Sequence, residues 1–352
     1  MLSHRTRRGS IIGAVLVAGV AVTGCAATTP AADSSDEALS GQIVWADWGG
    51  STNEAFEDIF FAPFTEETGV EVVPTIMSAS VQYEMLEGGE GDYDTMMTGM
   101  SEVVLYSENL VPLPEGIPRS DQLDAAAAEF TIATPIIGYA QGYLADAFPG
   151  GGPETWADFW DTETFPGKRA VPGEYSDFMF EAALLADGVA PEDLYPLDLD
   201  RAVAKLDELK PDMVFYTEYP QVQQLLTSEG ASIAFAPNGQ YAALKNAGVE
   251  VTVSWYQALV EANPFVVPTG ASNQAATFAL AELLADPELQ ADFSRRTDYG
   301  PSNSAAFDFL TDDEIAALPN APEHTDIIWS DAENRAELYQ EMTDRYTEWL
   351  TS

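Results

Sequence analysis

Cysteine occurs once in this 352-residue chain, at Cys25, and histidine twice, at His4 and His324. An internal disulfide is therefore impossible, and the cysteine clusters and HExxH spacing that hold zinc are missing. Positive charge is also scarce: 14 Lys and Arg stand against 58 Asp and Glu, for a net charge of −44. Nucleic acid is excluded as a partner, because phosphate binding needs basic patches. No P-loop or GxGxxG spacing occurs, and Gly88-Gly89-Glu90-Gly91 is acidic, which suits a turn better than a phosphate cradle. His324 sits in a polar stretch beside Pro322 and Glu323, a poor setting for a Ser-His-Asp triad. The acids are scattered along the whole chain and read as solvated surface, so a group such as Asp312-Asp313-Glu314 carries no specific signal. Neither a cofactor nor a metal is expected, and the chain is not read as an enzyme.

Long apolar runs are missing too, apart from residues 11–22, about a dozen residues against the roughly 20 a spanning helix needs. That run follows His4, Arg5, Arg7 and Arg8 and ends in Val22-Thr23-Gly24-Cys25. A basic start, a short apolar run and small residues at a cleavage point describe a secretory signal. Val22 to Cys25 resembles the bacterial lipobox, which implies cleavage before Cys25 and a diacylglycerol on its sulfur. The expectation is a signal peptide at 1–24, a lipidated tether at 25–41 rich in Ala, Thr, Ser and Asp, and an extracytoplasmic protein held at the membrane by Cys25. An ordinary signal peptide with a chance cysteine is the alternative, and Arg7-Arg8 leaves the export route open. Removing residues 1–24 takes Arg5, Arg7 and Arg8 and no acid, which leaves 328 residues and a charge of −47.

A chain of that length suits two domains. Residues 42–46 read as a strand, 52–68 as a helix bent at Pro63 and stopped by Gly69, and 70–76 as a second strand. This βαβ unit implies parallel pairing. The alternation continues with strands at 93–97, 167–171, 213–216 and 232–236 and helices at 80–86, 176–186, 200–209, 219–228, 274–284 and 287–295. The fold class is α/β, with two parallel-rich sheets flanked by helices. Ligands in such folds bind at the carboxyl ends of strands. That rule selects the segments beginning at Asp47, Thr98, Glu174, Thr217 and Pro237, where Gly49, Gly50, Gly99 and Gly239 allow close backbone approach.

Thr155-Trp156-Ala157-Asp158-Phe159-Trp160 followed by Phe165-Pro166-Gly167-Lys168-Arg169 resembles a landmark of the spermidine/putrescine-type periplasmic solute-binding proteins of ABC importers. Trp48 after the first strand, Phe64-Thr65-Glu66-Glu67-Thr68-Gly69-Val70, Tyr93-Asp94, Asn238-Gly239, Val267-Pro268-Thr269-Gly270-Ala271 and Tyr299-Gly300-Pro301-Ser302-Asn303 follow in the same order. The resemblance covers residues 42–312. It implies a type II periplasmic-binding-protein fold: lobe one at 42–134 and 265–312, lobe two at 135–264 and 313–352, and a hinged interlobe cleft. The Trp156 to Trp160 motif is expected in the lobe-two core. The family's polyamine sites combine an aromatic box with carboxylates. Trp48 and Tyr299 match two box positions; Ser51 and Pro237 replace two others, Asn263 stands where a key acid is expected with Glu261 nearby, and Phe178 replaces an acid beyond Glu174. The ligand-binding set is therefore Trp48, Ser101, Glu174, Tyr175, Glu218, Tyr219, Asn238, Glu261, Asn263 and Tyr299. The implied function is delivery of a small cationic or zwitterionic amine-bearing solute to ABC permease subunits by a monomeric protein. Polyamines, opine or amino acid-like solutes and quaternary amines all fit. An exported hydrolase or a surface interaction module on a related scaffold is the alternative.

Overall fold

The computed structural model describes residues 39–49, 51–123, 126–132 and 135–352. The expected signal, Cys25 and most of the tether lie outside the described residues. In chain order the first strands are β1 (Gln42–Asp47), β2 (Glu71–Ile76), β3 (Thr95–Met97), β4 (Thr131–Ile132) and β5 (Ile136–Leu144). Then follow β6 (Arg169–Pro172), β7 (Met213–Tyr216), β8 (Ile233–Pro237), β9 (Val251–Ala262), β10 (Phe265–Val266) and β11 (Ile328–Trp329). Sheet one has the order β2-β1-β3-β10-β4 and sheet two the order β11-β9-β5-β8-β6-β7.

The βαβ start is as the sequence predicts: β1 and β2 pair in parallel, with Gln42 opposite Glu71 and Asp47 opposite Ile76. The helix between them runs from Ser51 to Thr68 with a π turn at Glu57–Phe61. That wide turn lies just before Pro63, whose ring clashes with the carbonyl four residues back in a regular helix. The sheets are parallel-rich, as expected, with antiparallel strands mixed in. β10 runs antiparallel to β3 and β4, and β5 antiparallel to β8 and β9. The chain leaves sheet one into β5 and returns to it out of β9. Two neighbouring strands that enter and leave at the same boundary must run in opposite directions.

In sheet one Trp45 is fully buried among Phe56, Phe61 and Phe265, with ring centroids 5.0, 4.9 and 3.8 Å away. In sheet two the Trp156–Trp160 helix starts on a capping box between Thr155 and Asp158 and buries Trp156 and Phe159. Arg169 is fully buried; its Nε donates to the Phe159 carbonyl at 2.9 Å and its Nη2 to that of Asp161 at 3.1 Å. Arg169 thus ties the tryptophan helix to β6, so the landmark is a core device, as its alternating bulk suggests.

Candidate functional site

The loop after β1 is shaped by Asp47. Its carboxylate accepts from Trp45 Nε1 at 3.2 Å and from the Gly49 amide at 2.7 Å, and Gly49 takes φ +74°, a left-handed value that glycine adopts freely. The turn leaves the Trp48 ring 40% exposed, 6.1 Å from Tyr175. Trp48 follows β1 of sheet one and Tyr175 follows β6 of sheet two, so two aromatic faces meet between the sheets.

Carboxyl groups lie near them, and Asp177 acts electrostatically on Tyr175. After β3, a methyl group on Gly99 would stand 2.6 Å from Glu102 Oε2 and 3.8 Å from Glu261 Oε2, so both acids lie against this backbone. Glu261, near the carboxyl end of β9, is buried. Desolvation pushes its carboxyl up to about 7, with Glu102 and Glu181 adding to the rise and Arg335 opposing it. Glu102 is likewise raised, by burial first, although it hydrogen-bonds Tyr339 and feels Arg335. Asp177, six residues beyond the middle of β6, accepts from Tyr219 Oη at 3.2 Å. Burial raises its carboxyl to about 7 against the opposing pull of Tyr219 and Arg335.

Arg335, in the helix Ala332–Thr351, is the cation of this cluster. It bonds Glu181 Oε1, donates to the Asp177 carbonyl at 2.8 Å and lies 4.2 Å over the Phe178 ring. Glu181 is fully buried and also accepts from Tyr195 at 3.2 Å. Glu102, Asp177, Glu181 and Arg335 are functional candidates that the sequence reading misses. Asp177 had a local signal, standing beside Phe178 in the segment after β6. The others had none in a chain so rich in acids.

Among the sequence-predicted residues, Trp48, Tyr175, Tyr219 and Glu261 come together at this cluster, and Glu174 hydrogen-bonds Tyr175. Tyr299 is buried, with its hydroxyl raised to about 12 by desolvation; it bonds Thr52 and packs so tightly on Gly239 that a methyl there would come 2.5 Å from Oη. Both Tyr299 and Glu261 act electrostatically on Tyr139 of β5, which places Tyr299 at the back of the same region. Ser101 is buried in the first turn of the helix that carries Glu102. Asn238 spends its side chain on the Gly138 amide, accepted at 3.0 Å, and on the Asp298 carbonyl. Asn263 donates its backbone N–H to Pro135, and its side-chain oxygen is buried without a hydrogen bond. Glu218, the neighbour of Tyr219, is exposed. Two small cavities lie elsewhere, one against Arg119 and one against Phe56, and neither is lined by a carboxylate. His324 stacks on Trp255 at 5.0 Å.

Two mixed α/β sheets whose strand ends bring carboxyls and aromatics together have the arrangement of a ligand receptor. Residues 60–323 match the family model described as bacterial extracellular solute-binding protein, and the chain belongs to that family. It is similar to the gamma-aminobutyric acid-binding protein of Pseudomonas aeruginosa, 29% identical over 89% of this chain and 92% of that one. Among solved structures it is similar to a GABA receptor, 29% identical with a TM-score of 0.77 over 88% of this chain and 97% of the other. It also resembles the binding protein AgtB of A. tumefaciens R10 in complex with agropinic acid, 26% identical with a TM-score of 0.79 over 89% and 100%. These relatives are receptors, not enzymes, and the family works outside the cytoplasm.

Proposed function

We propose that this chain is the substrate-binding protein that presents an amine-bearing solute to an ABC permease. The observation that carries the reading is the convergence of Glu102, Asp177 and Glu261 beside the rings of Trp48, Tyr175 and Tyr219. Carboxylates pair with ammonium groups, and aromatic faces attract them by about 0.5–2 kcal/mol each. Relatives named for gamma-aminobutyric acid and agropinic acid support an amine or opine-like ligand, and polyamines and quaternary amines share the recognised group. The two sheets act as lobes. The chain crosses from sheet one to sheet two between Ile132 and Ile136 and returns between Ala262 and Phe265, and these crossings serve as hinges. Cys25 carries the lipid, and the tether keeps the receptor near its permease at high effective concentration.

A thermal-shift screen with polyamines, amino acids, opines, choline-like amines and sugars tests the ligand class, because a ligand that binds the native state raises the melting temperature. Amines are expected to shift it and sugars to leave it unmoved; the reverse pattern ends the proposal. Replacing Cys25→Ala is expected to move the protein from the membrane fraction to the soluble one.

A further inference from the structure

Relatives reported above are named for acids: gamma-aminobutyric acid and agropinic acid. An acid of this kind needs a cation for its carboxylate as well as carboxylates for its amine. Of the 14 Lys and Arg, Arg5, Arg7 and Arg8 lie outside the described residues, which leaves eleven. Each of these eleven already donates to a carboxylate or a carbonyl. Arg335 alone stands in the cluster, and its guanidinium is committed to Glu181, to the Asp177 carbonyl and to the face of Phe178.

A ligand carboxylate could take Arg335 only by stranding Glu181. That side chain is fully buried, and its Oε2 already lacks a hydrogen bond. Stranding a buried charge is the most costly way to break such a pair. Arg335 also acts electrostatically on Glu102, Asp177 and Glu261, but one guanidinium bonded to Glu181 faces four carboxyls, which leaves an excess of negative charge when these three ionise. A cation complements that excess, and the rings of Trp48, Tyr175 and Tyr219 beside these carboxyls favour an organic one.

We infer that the cleft selects solutes of net positive charge, such as diamines, quaternary amines or amino-amides, and discriminates against zwitterionic amino acids because the Glu181–Arg335 pair occupies the one Lys or Arg that stands in the cluster among the described residues. The inference rests on the amine-receptor reading and narrows it by excluding ligands with a free carboxylate at the Arg335 end.

The test is calorimetric titration of the full-length protein in mild detergent at pH 8 with a matched set: gamma-aminobutyric acid, its amide 4-aminobutanamide, putrescine and choline. The amide and at least one of the two carboxylate-free cations are expected to bind ten or more times more tightly than the acid. An acid that equals or beats its amide overturns the inference and leaves the amine reading standing. Absence of binding by every amine overturns both. The substitution Glu181→Gln frees the Arg335 guanidinium, so the amide-to-acid preference should collapse at least severalfold. An unchanged preference in that variant would show that the pair does not set the selectivity.

Discussion

Trp48 and Tyr175 are each 40% exposed, so their rings contribute little to the core and are free to face a ligand. Trp48→Ala and Tyr175→Ala are each expected to weaken amine binding by roughly three- to thirtyfold, the range of a cation–π contact. The melting temperature of the free protein should move by less than about 2 °C, as for other changes away from a core. Equal affinity in both variants, measured by calorimetry, would remove these rings from the site. Arg335 presents the opposite case, since its partner Glu181 has no exposed surface. Arg335→Met leaves a buried carboxylate uncompensated and is expected to cost about 3–5 kcal/mol of stability in urea unfolding. The double variant Arg335→Met with Glu181→Leu should recover most of that loss. Trp48 was legible in the sequence because it follows a recognisable strand, and Glu261 through the family resemblance, as the acid beside Asn263. Arg335 was not: it lies some 158 residues from Asp177, whose carbonyl it meets, and no local pattern announces such a contact.

The helix Ala332–Thr351 touches elements of both sheets. Tyr346 donates to the Pro172 carbonyl at 2.7 Å and Trp349 Nε1 to Asp207 at 2.9 Å, which fastens it to sheet two and its helices. Tyr339 meanwhile bonds Tyr83 and Glu102, on the helices beside β2 and β3 of sheet one. A hydrogen bond between elements of both sheets stabilises the arrangement in which the sheets approach. Tyr83→Phe and Tyr339→Phe are each expected to weaken ligand binding severalfold, and the double variant no further than either one. That non-additivity marks a pair acting as a unit. Additive losses, or none, would show that the contact has no part in binding. The shorter helices were readable because Gly69, Gly188 and Pro211 punctuate them. By contrast, β5 and β9 are not among the strands of the sequence reading, although Val251–Ala262 is rich in β-prone residues. The terminal helix carries its stripe at Tyr339, Met342, Tyr346 and Trp349, but acids crowd the intervening positions and dilute the period.

At the scale of the whole molecule the excess of acid over base acts on stability and on binding in opposite senses. Asp177 and Glu261 stand at about 7 in the folded protein, against ordinary values of 3.8 and 4.5 that apply when the chain unfolds. Between those limits the folded state holds protons that the unfolded state has released. The contribution of these two groups is therefore fully present below about pH 4 and is lost as pH rises through 7. Repulsion within a chain of net charge −44 adds to the loss in the same direction. A cationic ligand reverses the preference at the two sites, because it favours their ionised forms and displaces their protons. The free protein should thus melt higher at pH 5.5 than at pH 8, while the rise in melting temperature on adding putrescine should be larger at pH 8. Binding at pH 7 should release protons, seen as a calorimetric heat that varies with the ionisation enthalpy of the buffer. Glu261→Gln removes one of the two titrating groups and keeps the size and shape of the side chain. It should flatten the pH dependence of both quantities and weaken binding most at pH 8. A putrescine shift of equal size at pH 5.5 and 8, in a protein that binds it, would mean that the carboxyls of Asp177 and Glu261 do not meet the ammonium group.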